Sequence, residues 1–313
     1  MNTRPASAST AVAHRSRFVV PVIALCRALL RVQLASQAVP IAGAFLCSYL
    51  LYGRIAGEGT ALDWSLLGGL GSFIALFVEL RLIDDLDDLE RDCPVGEYTA
   101  ARRSALRARL LTSLATCMTL ITVLNFAKWH ALMAAAAATA LAFAAPFGFK
   151  RLFPRSLAVG SLVFEGAPFL IFAYCYFFWR DADGSELRFV AAFCVAGLFW
   201  TGYEFWKFSR KVHTAAMQPY FLSPRGIRAA LNALLVLALA ANVALARFAE
   251  LSDAYTTYAI ALPLAWFVWV NASWPIATSE QSGIRRPLWA GMTFVGALEL
   301  GLLVELLPTL GWK

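Results

Sequence analysis

Long apolar runs separated by short charged connections make up almost the whole chain. Nine of these runs reach the roughly 20 mostly apolar residues that a helix needs to cross a bilayer. They are 33–52, 64–83, 104–124, 129–147, 156–179, 187–207, 227–248, 254–272 and 287–306. Within each run the apolar residues are continuous rather than alternating, so the pattern predicts helices and not the strands of a barrel. Charges enter at the edges, with Arg107 and Arg109 opening the third run and Glu204 and Lys207 closing the sixth.

Ahead of the first run, the initial dozen residues are rich in Ser, Ala and Thr and read as a disordered tail. Arg15 to Arg31 is apolar but interrupted by Arg27, too short and too charged to span. It predicts an interfacial helix, with a cleaved signal peptide as the rival reading. The domain plan is therefore a cytoplasmic tail and interfacial helix over 1–32, then one nine-helix domain over 33–313. Composition agrees: of 313 residues 60% are hydrophobic and 15% charged, too few polar groups to cover a soluble globule of this size. The expected fold class is an all-α integral membrane protein.

Charge supplies an orientation. With the N-terminus in the cytoplasm, inside segments hold 21 of the 27 Lys and Arg residues: five in 1–32, six from Arg81 to Arg109, three from Lys150 to Arg155, five from Lys207 to Arg228, and two at Arg285 and Arg286. The net charge of +7 thus reads as a topology signal with some attraction to anionic lipid, and makes no case for nucleic acid. The cysteines show no C-x-x-C pairing and read as small apolar residues. Trp64, Trp129, Trp179, Trp274, Trp289 and Trp312 fall near run ends, where aromatic belts lie.

One stretch departs from this pattern. In "ELRLIDDLDDLERDCP", Glu79 to Pro94, six acids stand against Arg91 alone between Asp84 and Asp92. Asp85, Asp88 and Asp92 recur at i, i+3 and i+7, so a helix continuing from the second run carries them on one face, while Asp87 and Glu90 point elsewhere. Like charges crowded at a low-dielectric edge repel unless cations intervene, and a hard divalent ion such as Mg²⁺ takes one or two carboxylates and shares its remaining sites with phosphate. Arg102, Arg103, Arg107 and Arg109 follow, which places bases for phosphate beside acids for metal. A solvated charged loop is the plain alternative.

"DDLDDLERD" resembles the first aspartate-rich motif, N-D-x-x-D-x-x-x-D, of the UbiA superfamily of intramembrane prenyltransferases, with Asp84 where the Asn usually stands. The nine helices of that family and the cytoplasmic place of its motif match the hydropathy reading. "APFGFKRLFPRSLAVG", Ala145 to Gly160, resembles the segment after the family's fourth helix, with Lys150 and Arg151 as its Lys-Arg pair. The resemblance implies Mg²⁺-dependent transfer of a prenyl group from an isoprenyl diphosphate to a hydrophobic acceptor within the membrane. It implies Asp85, Asp88 and Asp92 as metal ligands, and Asp84, Arg102, Arg103, Lys150, Arg151 and Glu204 as substrate contacts.

The family's second motif, D-x-x-x-D after the sixth helix, is replaced by "GYEFWKFSRKVH". There Glu204, Lys207 and Lys211 repeat the one-face spacing, and Lys207, Arg210 and Lys211 are expected to meet the diphosphate directly, supplying charge that a second metal would otherwise bring. An ordinary positive-inside loop is the alternative. Inside the runs, Glu165 is expected either to line a cavity or to pack against a neighbour, and Glu79 to extend the acidic mouth. Glu299, Glu305, Asn232 and Asn242 are expected to make interhelical hydrogen bonds. A transporter, a lipid-binding protein or a non-catalytic partner on the same fold stands as the competing class.

Overall fold

The computed structural model describes residues 34–57, 64–91, 100–149, 152, 157–183, 189–211, 224–272 and 285–309. The proposed tail and interfacial helix, together with Asp92, Lys150 and Arg151, lie outside them. Among the described residues there are nine α-helices: α1 (Leu34–Ala56), α2 (Trp64–Arg91), α3 (Ala100–Leu124), α4 (Trp129–Phe143), α5 (Leu157–Asp183), α6 (Phe189–Lys211), α7 (Pro224–Phe248), α8 (Asp253–Ala272) and α9 (Arg285–Leu306). A π-helical turn, Ala144–Phe149, extends α4 across Pro146 and Gly148. Each helix coincides with one predicted apolar run, and α2 continues well past the end of its run, through the acids.

Six of the nine are long and apolar enough to cross a membrane: α1, α2, α3, α4 with its π turn, α6 and α7. The expected count of nine crossings is corrected to six among the described residues. Tyr255, Thr256, Thr257, Tyr258 and Asn271 dilute the hydropathy of α8. The fold class holds at the coarser level of an all-helical bundle suited to a bilayer.

The outer helices behave as a lipid-facing surface requires. α3 exposes Leu111, Met118, Leu120 and Val123, and its exposed Thr112, Thr116, Thr119 and Thr122 each donate to the carbonyl four residues back at 2.8 Å. Their hydroxyls are thus satisfied inside the helix, as hydrocarbon demands. Trp64 and Trp129 stand exposed at helix starts, in keeping with an aromatic belt. Trp179 does not: it is fully buried, packed on Tyr52 and Tyr176, because α5 carries it into the bundle rather than out to the interface. Cys47, Cys117 and Cys175 are buried free thiols, and Cys194 is half-buried.

Aromatic rings fill the centre. Phe45, Phe73 and Phe178 are fully buried, with centroids 5.4 and 5.9 Å from Phe45 to the other two. Among them sits a polar knot: the Asn125 amide donates to Ser72 Oγ and to the Ile121 carbonyl, each at 2.8 Å, and accepts from the Tyr174 hydroxyl at 2.8 Å. These bonds tie α2, the end of α3, and α5. Elsewhere Glu305 accepts from the amide and hydroxyl of Ser252, both at 2.7 Å, Asn242 accepts from Tyr255 at 2.8 Å, and Asn232 and Asn271 exchange amide bonds at 3.1 and 3.0 Å. Three of the four interhelical bonding residues expected from sequence therefore act as such.

Contacts fix the relative directions of the helices that matter below. Gly69 lies against the Phe178 ring and Phe77 against Phe172, so α2 and α5 are antiparallel. Five residues, 184–188, join α5 to α6, too few to span a helix length, so α6 runs back along α5. The C-terminal ends of α2 and α6 consequently lie at one end of the bundle.

Candidate functional site

That shared end carries the charges. α2 remains helical through Arg91, which places its acids on defined faces instead of in a loop. Counting along α2, Phe73, Phe77, Asp84 and Asp88 fall on one side of the helix at i, i+4, i+11 and i+15. On α6 the corresponding side is formed by Phe199, Tyr203 and Trp206, and Arg210 follows one turn further along the helix. Phe77 and Tyr203 are 5.4 Å apart between ring centroids, and Phe172 of α5 completes the cluster at 5.5 Å from Phe77 and 6.2 Å from Tyr203. Asp84 stands seven residues beyond Phe77 and Arg210 seven beyond Tyr203, each roughly 10 Å of helix rise. The acidic end of α2 and the basic end of α6 are therefore level, above an aromatic floor.

The acids are not equivalent. Arg81 reaches both Asp84 at 2.7 Å and Asp85 at 2.6 Å, one helical turn away, with all three side chains partly solvated. Asp88 is exposed, and Asp87, expected to point elsewhere, is the buried member at 6% exposure. Arg103, at the start of α3, donates to the Leu89 carbonyl at 2.9 Å, which satisfies one of the open acceptors at the end of α2 and holds a cation beside the acidic turn. Arg102 lies in the first turn of the same helix. On α6, Glu204 is buried at 1% exposure and its carboxylate stands 3.8 Å from Lys207 Nζ. Glu204 and Lys207 share a side of α6 about a quarter-turn away from the side of Tyr203 and Trp206.

For a metal, the described residues offer Asp85 and Asp88, hard oxygen donors one turn apart at the water-facing end of α2. This donor set fits an ion that takes one or two carboxylates and fills its shell with water and phosphate. No group of three acidic, His or Cys side chains comes together among the described residues, and Asp92 lies outside them. The structure thus brings together Asp84, Asp85, Asp88 and Arg103 at the end of α2, with Lys207 at the same end on α6. Lys150 and Arg151, and the side chains of Arg102, Arg210 and Lys211, lie outside the described residues.

Below the charged end, a cleft opens between α1, α5, α6 and α9, with an empty volume of about 520 Å³ including its mouth. Phe172, Phe199, Tyr203 and Trp206 form its aromatic wall, and Pro40 and Ala44 of α1 face them. Glu299 of α9 lines the same cleft at 6% exposure. Its carboxylate lies so close to Gly43 that a Cβ there would sit 2.3 Å from Oε2, so a backbone without a side chain is what admits it. Glu299 Oε1 is buried without a hydrogen-bond partner among the described residues. The expected interhelical hydrogen bond from this side chain is corrected accordingly: only its backbone carbonyl is engaged, accepting from Cys47 Sγ at 3.6 Å.

Sequence reading missed Arg81 as the partner of two of its acids, although the i, i+3 and i+4 spacing from Arg81 to Asp84 and Asp85 was the signal. It also missed the burial of Asp87 and the isolation of Glu299, which depend on neighbouring helices and have no local signature. No family model matches the chain, and no curated protein or solved structure matches it either, so the site is read from its own chemistry.

Proposed function

We propose that the protein is a multi-pass membrane prenyltransferase of the UbiA type, with its N-terminus and charged loops in the cytoplasm, moving a prenyl group from an isoprenyl diphosphate to a hydrophobic acceptor. The observation that carries this reading is the level placement of an acidic helix end and a basic helix end above an aromatic floor. Asp85 and Asp88, with Asp92, would hold Mg²⁺, whose charge when bound offsets that of the diphosphate.

Lys207, Arg210 and Lys211 take the opposite side of the diphosphate, where fixed cations stabilise the pyrophosphate that departs with the electron pair of the allylic C–O bond. Arg103 and Arg102 add positive charge at the start of α3, and Lys150 and Arg151 are assigned to the same headgroup. Asp84 keeps Arg81 folded over the acidic turn, and Glu204 positions Lys207. The rings of Phe77, Phe172 and Tyr203 present π faces to the prenyl cation and exclude water from it. The new bond forms between the allylic carbon and the nucleophilic atom of the acceptor, whose proton is released.

The test is release of pyrophosphate by the purified full chain given isoprenyl diphosphates of several lengths with Mg²⁺. Release should stop with a chelator and fall about 100-fold or more in Asp88→Ala, the scale of losing one preorganised charge at a reacting group. Undiminished release in Asp88→Ala removes the role assigned to the acidic turn. The engagement of Asp84 and Asp85 by Arg81 favours a second reading, a lipid-binding or transport protein on the same bundle. That reading predicts capture of the isoprenoid without release of pyrophosphate.

A further inference from the structure

We infer that Glu299 is the recognition group of a binding site for a lipophilic molecule carrying a hydroxyl donor, held in the cleft between α1, α5, α6 and α9. The inference goes beyond the transfer chemistry and stands for an enzyme or a binder alike.

A buried carboxylate with a bare oxygen is costly in an apolar setting, and natural proteins leave few such groups. Glu299 Oε1 has no partner among the described residues, and the cleft around it is walled by Phe172, Phe199, Tyr203 and Trp206 and by Pro40 and Ala44. Those walls offer contact area and π faces, while Glu299 offers an acceptor; in either protonation state a lone pair is open. The complement of that surface is an apolar, ring-bearing body with one O–H directed at Oε1. A few polar groups set among apolar and aromatic walls are the usual composition of a small-molecule site.

Gly43 supports the same conclusion, because the carboxylate rests against the α1 backbone where any side chain would collide with it. The group is thereby held at the cleft wall rather than free to swing. Gly202 widens the cleft from the opposite side: a Cβ there would make only ordinary contacts, 3.6 Å to Val295 and 3.8 Å to Leu298. Its replacement by Ala narrows the site without forcing the helices apart.

The experiment is saturation binding of a tritiated long-chain para-alkylphenol and of its methyl ether to the full chain in nanodiscs, with empty nanodiscs subtracted. The wild type should bind the phenol at least about tenfold more tightly than the ether, the discrimination of one hydrogen bond to a buried acceptor. Glu299→Leu should bind both equally, at the affinity of the ether, and should melt at a higher temperature because it removes a buried polar group that nothing satisfies. Gly202→Ala should weaken both probes by similar factors. Equal binding of the two probes by the wild type overturns the inference without any variant being needed. So does a preference that survives in Glu299→Leu, or a lowered melting temperature in that variant, which would make the carboxylate a structural partner. Pyrophosphate release plays no part in these readouts, so failure here and failure of the transferase reading are distinguishable.

Discussion

At the residue scale, the polar groups of the interior divide into those that join helices and those that wait for something. Asn125 belongs to the first kind, with one amide bonded to Ser72, Ile121 and Tyr174. Asn125→Leu should cost about 2 kcal/mol, since the buried hydroxyls of Ser72 and Tyr174 lose a shared partner, and Tyr174→Phe about half that. Unfolding in a denaturing-detergent titration measures both; a neutral Asn125→Leu would show that the knot carries no stability. Glu299 belongs to the second kind. From sequence both look alike, a polar residue in an apolar run, because what separates them is whether a neighbouring helix brings a partner. The pairing of Arg81, although missed, has a local signal within one helix, whereas the burial of Asp87 and of Trp179 comes from packing that no window of sequence contains.

At the element scale the reading was close. The runs 129–147 and 254–272 meet α4 with its π turn and α8 almost residue for residue, because burial in lipid or protein favours the same apolar stretch in either case. At the end of α2 hydropathy stops near Ile83, but the one-face spacing of the acids already pointed to a continuing helix, which persists through Arg91, held by the Arg81 pairs and by Arg103 on the Leu89 carbonyl. Helix contacts also separate glycines that look equivalent in sequence. A Cβ on Gly291 would sit 2.6 Å from the backbone of Trp206 and 2.4 Å from Ser209 Oγ, so Gly291→Ala must push α9 from α6 and should cost about 2 kcal/mol or more. Gly202→Ala, with contacts of 3.6 and 3.8 Å, should be neutral or slightly stabilising in the same melt. Glu305→Ala removes both acceptors at the start of α8 and should cost about 1 kcal/mol, as loss of a helix cap does. No change in that variant would mean that water replaces the carboxylate without penalty.

At the scale of the whole molecule, the bundle has two chemically different ends. The acids of α2, the Arg103 contact and the bases of α6 share one; Arg54 on the Ala249 and Glu250 carbonyls, Glu305 on Ser252, and Asp181 bonded to His130 at 2.5 Å and to the Ala131 amide at 2.9 Å mark the other. The first end and the segments assigned to the same side hold 21 of the 27 Lys and Arg residues, and the proposed orientation, which follows the positive-inside rule, turns it to the cytoplasm. Single cysteines in a variant lacking the native six test this directly, because the chosen positions are exposed. Asp88→Cys and Ser104→Cys should react with a membrane-impermeant maleimide only after cells are permeabilised, and Ala127→Cys and Ala254→Cys before. The reverse pattern would invert the proposed orientation and put the charged end on the outer face of the membrane. Reaction of all four from one side would mean that the helices do not cross the bilayer, and the shared charged end would then have to be explained without a membrane at all.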